Sequence, residues 1–177
     1  MASYRQTDGR FQRSERTRTA IVAAHVELLR EGVLKPTAAM IAERAGVSVR
    51  TLWSSFHDME NLLQTTVEYW FATDDELRVV IDPDLPLAER IELFCLERER
   101  RLVNISPGAR AAVLMEPESA ALRASRQTHI GRVRADLEAA FAVELDAAED
   151  RQARLDALTV ATSWNAWSLL HDDLSLT

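Results

Sequence analysis

The side chains best suited to bind another molecule lie close together in this sequence, between residues 37 and 57. Arg50 can make a bidentate contact with the edge of a guanine, and Val49 can touch the methyl group of a thymine. Thr37 precedes a helix start, where phosphate is favoured, and several hydroxyls and one indole N–H follow it. This combination is typical of a surface that binds DNA. The candidate DNA-binding residues are Arg18, Thr37, Ala38, Ser48, Val49, Arg50, Thr51, Trp53, Ser54, Ser55 and His57.

Three of these side chains also have a purely structural explanation. Thr37 and Ser48 are suited to capping the helices that follow them, and we expect capping to be their first role. Trp53 can pack its apolar body into a core instead of meeting DNA. A DNA contact at these positions must therefore be compatible with capping and packing.

The pattern over residues 37–56 predicts the element that positions these side chains, a helix-turn-helix. Gly46 falls in a three-residue turn, where a left-handed backbone is needed. The small Ala42 and Ala45 let the two helices cross closely at the steep angle of this motif. The second helix then projects its N-terminal end outwards, as entry into a major groove requires. The residues that can pack between these helices and the preceding one are Ile41, Ala42, Ala45, Val47, Leu52 and Phe56.

The segment from residue 14 to about residue 65 resembles the TetR family of bacterial transcriptional repressors, without a gap. The resemblance implies a homodimer that binds a short palindromic operator. It also implies a ligand cavity in the C-terminal helices, whose occupation releases the DNA. The residues that match the family pattern are Thr37, Ile41-Ala42, Ala45-Gly46-Val47-Ser48, Thr51-Leu52-Trp53, Phe56 and Leu62-Leu63.

The sequence departs from the family pattern at two places. Met59 stands where the family usually has a lysine that contacts phosphate, so we expect His57 and the backbone amides of the following helix to make that contact. Family members also commonly have one more helix after a segment like residues 169–177, and they pair through the final two helices.

The rest of the sequence predicts an all-α protein, because strand-type alternation and hairpin turn signals are missing. We expect a DNA-binding domain over residues 1–57, with a disordered arm over 1–13, and a helical ligand-binding and dimerisation domain over 58–177. A long helix after Asp58 joins them. The expected helices span residues 14–31, 37–45, 48–56, 59–80, 87–105, 117–145 and 149–171, with a short one between breaks at 106–108 and 116–117.

Charge is distributed unevenly along the chain. The net charge is −7, yet residues 1–57 carry +4 and residues 58–177 carry −11. A basic head on an acidic body indicates a polyanionic partner at one end only, although a surplus of four charges is also within ordinary scatter. A polar N-terminus, no long apolar segment and the single Cys95 lead us to expect a cytoplasmic protein without a membrane segment or disulfide.

The last expected helix contains no charged residue between positions 157 and 170. A helix that lacks a polar face is buried on more than one side. Burial against a second subunit would explain this in so small a chain, and the alternative is a central helix within one monomer. The candidate dimer-interface residues are Phe141, Ala157, Ala161, Trp164 and Trp167.

An apolar cavity for a small-molecule inducer could be built from aromatic and polar side chains of the C-terminal helices. For each of these residues ordinary core packing is the competing explanation. The candidate ligand-binding residues are Tyr69, Trp70, Phe94, Met115, Arg126, His129, Trp164 and Asn165.

The sequence therefore predicts a ligand-responsive DNA-binding regulator, a repressor that binds operator DNA as a homodimer and is released by a small apolar inducer. Phosphate-loop, zinc-protease and nucleophile-elbow motifs are missing, so we expect no enzyme, cofactor or metal. The charge run at residues 97–101 is interpreted as i,i+4 ion pairs on a solvated helix face. A helical protein-interaction module without DNA binding is the alternative function.

Overall fold

The computed structural model describes residues 3–175, with side chains from Phe11 onwards, and this part of the chain is all helical. No strand occurs within it, which confirms the predicted fold class. None of its helices is both long enough and apolar enough to cross a membrane. The α-helices are α1 (Ser3–Arg30), α2 (Ala38–Arg44), α3 (Val49–Phe56), α4 (Met59–Leu77), α5 (Leu87–Met115), α6 (Ala120–Asp146), α7 (Arg151–Ala161) and α8 (Trp164–Ser168), with a 3₁₀ turn at Glu116–Glu118 and a π-helical turn at Leu169–Asp173.

The chain divides into two compact units. Unit 1 contains the chain up to Phe71 together with Pro107–Leu122, and unit 2 contains Ala72–Ser106 and the chain from Arg123 onwards. The domain boundary expected from the sequence, at residues 57 and 58, lies within unit 1. Residues 3–13 belong to α1, where the sequence led us to expect a disordered arm.

The core of unit 1 forms where α1 packs against α2 and α3. Ile21, Ile41, Leu52 and Phe56 have no exposed surface, and Ala42 is 1% exposed. Ala45 and Val47 pack against this core while partly exposed. The small and branched residues expected between these helices therefore do lie between them.

A buried histidine joins α1 to α4 within unit 1. His25 is 1% exposed, and its Nδ1 lies 2.9 Å from Oγ1 of Thr66. Because the Thr66 hydroxyl donates to the carbonyl of Leu62, Thr66 accepts the hydrogen bond and the ring proton of His25 is on Nδ1. Burial lowers the pKa of His25 to about 4, so the ring is neutral at physiological pH.

Unit 2 has an apolar core and a buried ionic layer. Phe94 packs edge-on against Phe141, with 5.4 Å between ring centroids, and Leu145 and Leu155 complete the centre of the core. Arg90 is 5% exposed and makes two hydrogen bonds with the carboxylate of Glu144, of 2.6 and 2.9 Å. The core of unit 2 therefore includes charged groups whose hydrogen bonds are satisfied.

The structure differs from the sequence prediction at one expected break and in one expected helix. Pro107 does not break α5, which continues to Met115. A proline removes one backbone donor, and here the next residue, Gly108, lies so close to Trp70 that an added Cβ would be 2.8 Å from the indole nitrogen. The single helix expected at residues 149–171 is instead interrupted after Ala161. Ser163 begins α8 there, and its Oγ accepts a hydrogen bond from the amide of Ala166.

Candidate nucleic-acid interface

The turn between α2 and α3 follows directly from its sequence. Gly46 has a φ of +66°, in the left-handed region that favours glycine. The amide of Gly46 donates to the carbonyl of Glu43, and that of Val47 donates to the carbonyl of Ala42, which is the hydrogen-bond pattern of a Schellman motif. The turn is therefore well defined, and it fixes where α3 begins.

Both α2 and α3 are capped by the hydroxyl residues predicted for that role. Oγ1 of Thr37 accepts from the amide of Met40 at 3.3 Å, and Oγ of Ser48 accepts from the amide of Thr51 at 3.1 Å. The Ser48 hydroxyl also bonds to that of Thr51 at 2.8 Å. Since Thr37 uses only an acceptor lone pair for its cap, its O–H remains available to a phosphate oxygen. Capping and phosphate contact are compatible at Thr37.

The first turn of α3 exposes the side chains expected to read bases. Arg50 is exposed, and within the described residues its guanidinium makes no hydrogen bond or ion pair. Val49 beside it is 40% exposed. Ala38 and Thr51 are half-buried. The exposed cation and the exposed apolar side chain therefore occupy adjacent positions at the start of the helix.

The later residues of α3 make more contacts within the protein than Val49 and Arg50 do. Ser54 donates to the carbonyl of Arg50 at 2.9 Å, and Ser55 donates to that of Thr51 at 3.0 Å. Each of these hydroxyls has only acceptor lone pairs left for a ligand while those bonds persist. Trp53 is half-buried and packs against the core of unit 1. The indole thus has a structural role, as its alternative explanation predicted.

Arg18 secures α3 from the side of α1. Its guanidinium donates to the carbonyl of Ser55 and to Oγ1 of Thr65, and lies 4.3 Å from the ring centroid of Phe56. These contacts use two of its N–H donors and place its charge over an aromatic ring within unit 1. The geometry makes Arg18 a residue that positions the end of α3.

The cations of unit 1 are not equally available. Arg44 forms a two-bond ion pair with Glu31, both bonds 2.8 Å long, and lies 3.6 Å from a carboxylate oxygen of Glu27. The hydrogen bond from Arg44 lowers the pKa of Glu31 below its ordinary value. Arg16 and Lys35, like Arg50, have no such partner in the described part of the chain.

The start of α4 is capped by a carboxylate. Oδ1 of Asp58 accepts from the amide of Asn61 at 2.8 Å, so one of the amides expected to contact phosphate is already bonded. His57 is exposed and adopts a positive φ of 61°, and its amide donates to the carbonyl of Trp53. Of the two groups predicted to replace the missing lysine, His57 is therefore the more accessible.

The predicted ligand-binding residues are divided between the two units. Tyr69, Trp70 and Met115 belong to unit 1, where Trp70 is 8% exposed and part of the core. In unit 2, Phe94 is buried in the core, Arg126 and Asn165 are exposed, and His129 and Trp164 are half-buried. A cavity of about 40 Å³ next to Phe94 has room for a few water molecules only.

The predicted dimer residues lie in unit 2 and differ in exposure. Ala157 and Ala161 are exposed, and Val160 between them is 68% exposed. Trp164 and Trp167 are half-buried, whereas Phe141 is 8% exposed and packs within the core. The uncharged segment is therefore not the central helix of one chain, and its first half presents an apolar strip to solvent.

The charge run at residues 97–101 is the main feature that sequence analysis misplaced. Glu97, Arg98 and Arg101 are at most 7% exposed, so they do not form the solvated face that we predicted. The predicted i,i+4 pair does form, with 3.0 Å between Glu97 and Arg101. The signal was available in the spacing, because Phe94, Glu97, Arg98 and Arg101 recur at the interval of a single helix face.

No cluster of His, Cys, Asp or Glu that could hold a metal ion occurs among the described residues. Compared with known proteins, the chain matches no family model, no curated protein and no solved structure. The resemblance to TetR repressors thus rests on the residues of segment 14–65 alone.

Proposed function

We propose that this protein is a ligand-responsive transcriptional repressor that binds a palindromic DNA operator as a homodimer, with the first turn of α3 in the major groove. One observation carries the proposal. Arg50 is an exposed guanidinium without a partner in the described residues, next to exposed Val49 and two residues after Ser48, which caps the start of α3. An unpaired arginine at a capped helix N-terminus is suited to bidentate recognition of guanine.

The arrangement of charge in unit 1 supports the same function. Arg16, Lys35 and Arg50 are free to approach phosphates, whereas Arg18 and Arg44 hold the helices in place. Neutralising phosphates releases counterions, so the affinity should fall steeply between about 50 and 200 mM salt. The acidic residues of the rest of the chain would be repelled by the same DNA.

Dimerisation is required because one copy of α3 makes few base contacts. The apolar strip of α7, formed by Ala157, Val160 and Ala161, is the surface we assign to the partner copy. A two-fold axis through such a strip gives an isologous interface. The two recognition helices would then meet half-sites about 34–36 Å apart.

The test begins with selection of a binding site from a pool of random duplexes. Fluorescence anisotropy then compares the selected duplex with a scrambled one for the wild type and for two variants. Arg50→Ala should weaken specific binding by roughly 1–3 kcal/mol, which is about 5- to 150-fold, and relax the preference at one base per half-site. Thr37→Ala should weaken both duplexes to a similar extent, because a phosphate contact carries no base information.

Arg100→Ala is the matched control, since Arg100 is an exposed arginine on α5 outside the proposed interface. It should bind the selected duplex as tightly as the wild type. Failure to enrich any sequence, together with affinity that does not change with salt, would contradict the proposal and favour a protein-interaction module. An unchanged base preference in Arg50→Ala would show that another side chain reads the sequence.

A further inference from the structure

Arg98 is a buried cation with an incomplete set of partners. It is 4% exposed, on the inward face of α5 in unit 2. Its Nε donates to the carbonyl of Thr162 at 2.8 Å, and its Nη2 lies 3.0 Å from Nε2 of His129. Its Nη1 is fully buried and has no hydrogen-bond partner in the described part of the protein. Leaving such a donor unsatisfied costs free energy.

The other buried arginines show what Arg98 lacks. Arg90 bonds to the carboxylate of Glu144, and Arg101 bonds to three carboxylates. Of the three arginines buried in the described residues, only Arg98 has no carboxylate bonded to it. Burial and the nearby charge of Arg101 lower its pKa to about 10, so it still carries a full positive charge at neutral pH. A buried charge in this condition calls for an anion.

His129 does not supply that anion. Because a guanidinium can only donate, Nε2 of His129 is the acceptor and the ring proton lies on Nδ1. Burial and the charge of Arg98 lower the pKa of His129 to about 4, so the ring is neutral. His129 therefore orients the guanidinium through Nη2 and leaves Nη1 as the free donor.

A second buried donor without a partner lies close by along the chain. Nε1 of Trp164 is buried and makes no hydrogen bond within the described residues. Arg98 donates to the carbonyl of Thr162, and Trp164 lies two residues further along the chain, so the Cα atoms of Thr162 and Trp164 are at most about 7 Å apart. Two unsatisfied donors, one of them charged, thus occur at the junction of α7 and α8.

We propose that Arg98 and Trp164 form an anion-binding site for the carboxylate of a small organic acid. Nη1 of Arg98 would donate to a carboxylate oxygen and the guanidinium supplies the balancing charge, while Nε1 of Trp164 is the second donor that we assign to the same ligand. The charges of Asp74, Glu97 and Asp136 also act on Arg98, and they disfavour a dianion such as phosphate more strongly than a carboxylate with a single charge. The indole of Trp164 provides an apolar surface for the body of the acid.

The site also indicates how a ligand would act on the regulator, a step that rests on the proposed function. Arg98 holds the carbonyl of Thr162, the residue that ends α7, one residue beyond Ala161 of the apolar strip. A carboxylate on Nη1 would change the position of the guanidinium and therefore the end of α7. The inducer class is then a monoanionic organic acid that alters the dimer surface.

The test uses the full chain without DNA and four carboxylates, namely acetate, benzoate, phenylacetate and decanoate, each paired with its neutral primary amide. Isothermal titration calorimetry should show saturable binding of at least one acid, at least tenfold tighter than its amide. Arg98→Gln should reduce that affinity at least tenfold. Arg100→Gln, an exposed neighbour on the same helix, should leave it unchanged.

A spectroscopic readout covers the case in which Arg98→Gln does not fold. The indole N–H resonance of Trp164, assigned by its absence in Trp164→Phe, should shift when the acid is added and not when the amide is added. No binding by any of the four acids, an unshifted Trp164 resonance, or equal binding of acid and amide would each overturn the proposal. Inorganic phosphate bound more tightly than every carboxylate would overturn the assigned ligand class.

The two proposals fail separately. Calorimetry measures the carboxylate site in the absence of DNA, and anisotropy measures DNA binding in the absence of acid. A chain that binds the acid but enriches no duplex retains the site and loses the repressor function. A chain that binds its selected duplex but none of the acids retains the repressor function and loses the site.

Discussion

Replacing Arg101 by methionine tests whether the buried ionic layer holds unit 2 together. Arg101 is 1% exposed and donates to both carboxylate oxygens of Asp74, at 2.8 and 2.7 Å. It also donates to Glu97 at 3.0 Å and to Asp136 at 2.9 Å. One guanidinium therefore joins carboxylates from α4, α5 and α6, and methionine keeps much of its length while removing every donor.

The expected loss is set by the carboxylates that remain. The side chains of Asp74 and Glu97 are 1% and 7% exposed, so water cannot replace the missing guanidinium. Breaking a buried ion pair from one side typically costs about 3–5 kcal/mol, and we expect Arg101→Met to lose stability in that range near neutral pH. For a chain of this size the melting temperature should fall by about 6–20 °C.

The same substitution should change how stability depends on pH. Burial acts to raise the pKa of Asp74, but the hydrogen bonds and charge of Arg101 outweigh burial and hold that pKa below its ordinary value. In the wild type, the ionised Asp74 therefore stabilises the folded state. This stabilisation is fully present above the unfolded pKa of about 3.9 and is lost as the pH falls through the folded pKa. Without Arg101, burial dominates and the folded pKa rises. Acidification then protonates Asp74 in the variant and removes its buried, unpaired charge. The difference in the free energy of unfolding between the variant and the wild type should therefore become smaller.

The assay is urea unfolding followed by far-ultraviolet circular dichroism near pH 7.5 and near pH 5. Arg134→Met is the control, because Arg134 pairs with Asp156 at the surface and its loss should cost less than about 1 kcal/mol. An Arg101→Met variant as stable as that control near neutral pH would refute the structural role of the layer. A deficit that stays constant or widens on acidification would refute the reasoning about Asp74.

Two further predictions concern the histidine of unit 1 and the apolar strip of α7. Because burial lowers the pKa of His25 to about 4, the unfolded chain takes up its proton first, and stability should fall by up to about 3 kcal/mol as the pH drops from 6.5 to 4. His25→Gln should lessen that decline in urea titrations at several pH values, and an identical decline would exclude His25 as its source. Ala161→Glu should convert a dimer to a monomer in sedimentation velocity, because it buries a carboxylate twice at a two-fold interface. Ala88→Glu, also exposed but in the first turn of α5, should leave the association unchanged, and a monomeric wild type would exclude the interface.

The sequence predicted the local structure of unit 1 well because short-range signals agree there. The bounds of α2 and α3 follow from Thr37, Gly46 and Ser48, which act within one helical turn of themselves. The continuity of α5 through Pro107 could not be read in the same way. Trp70 approaches Gly108 closely beside that proline, and residues 38 positions apart carry no local signal of contact.

The two candidate sites differ in the same way: local sequence signals predicted the exposure of one arginine, and tertiary contacts determine the burial of the other. Exposure of Arg50 followed from its place in a short amphipathic helix, so the sequence located it correctly. Burial of Arg98 did not follow, because a run of five charged residues normally indicates a solvated face. Carboxylates from three helices bond to Arg101 and allow the charged segment to be buried. Asp74 and Asp136 approach this segment only in the tertiary structure.

Within the described residues, Arg50 in unit 1 and Arg98 in unit 2 both have no carboxylate bonded to them, but the energetic consequence differs between the two. This difference underlies both proposals. At least six arginines of unit 2 are bonded to a carboxylate, which makes a buried arginine without one informative. Arg50 is exposed, so water solvates its charge and leaving it unpaired costs almost nothing. Such a cation is available to a polyanion at any time. Arg98 is buried, so the absence of an anion has a cost that binding of a carboxylate would remove. An exposed cation suits a surface that must associate with DNA and dissociate from it, whereas a buried cation without a bonded carboxylate suits a site that retains a single small anion.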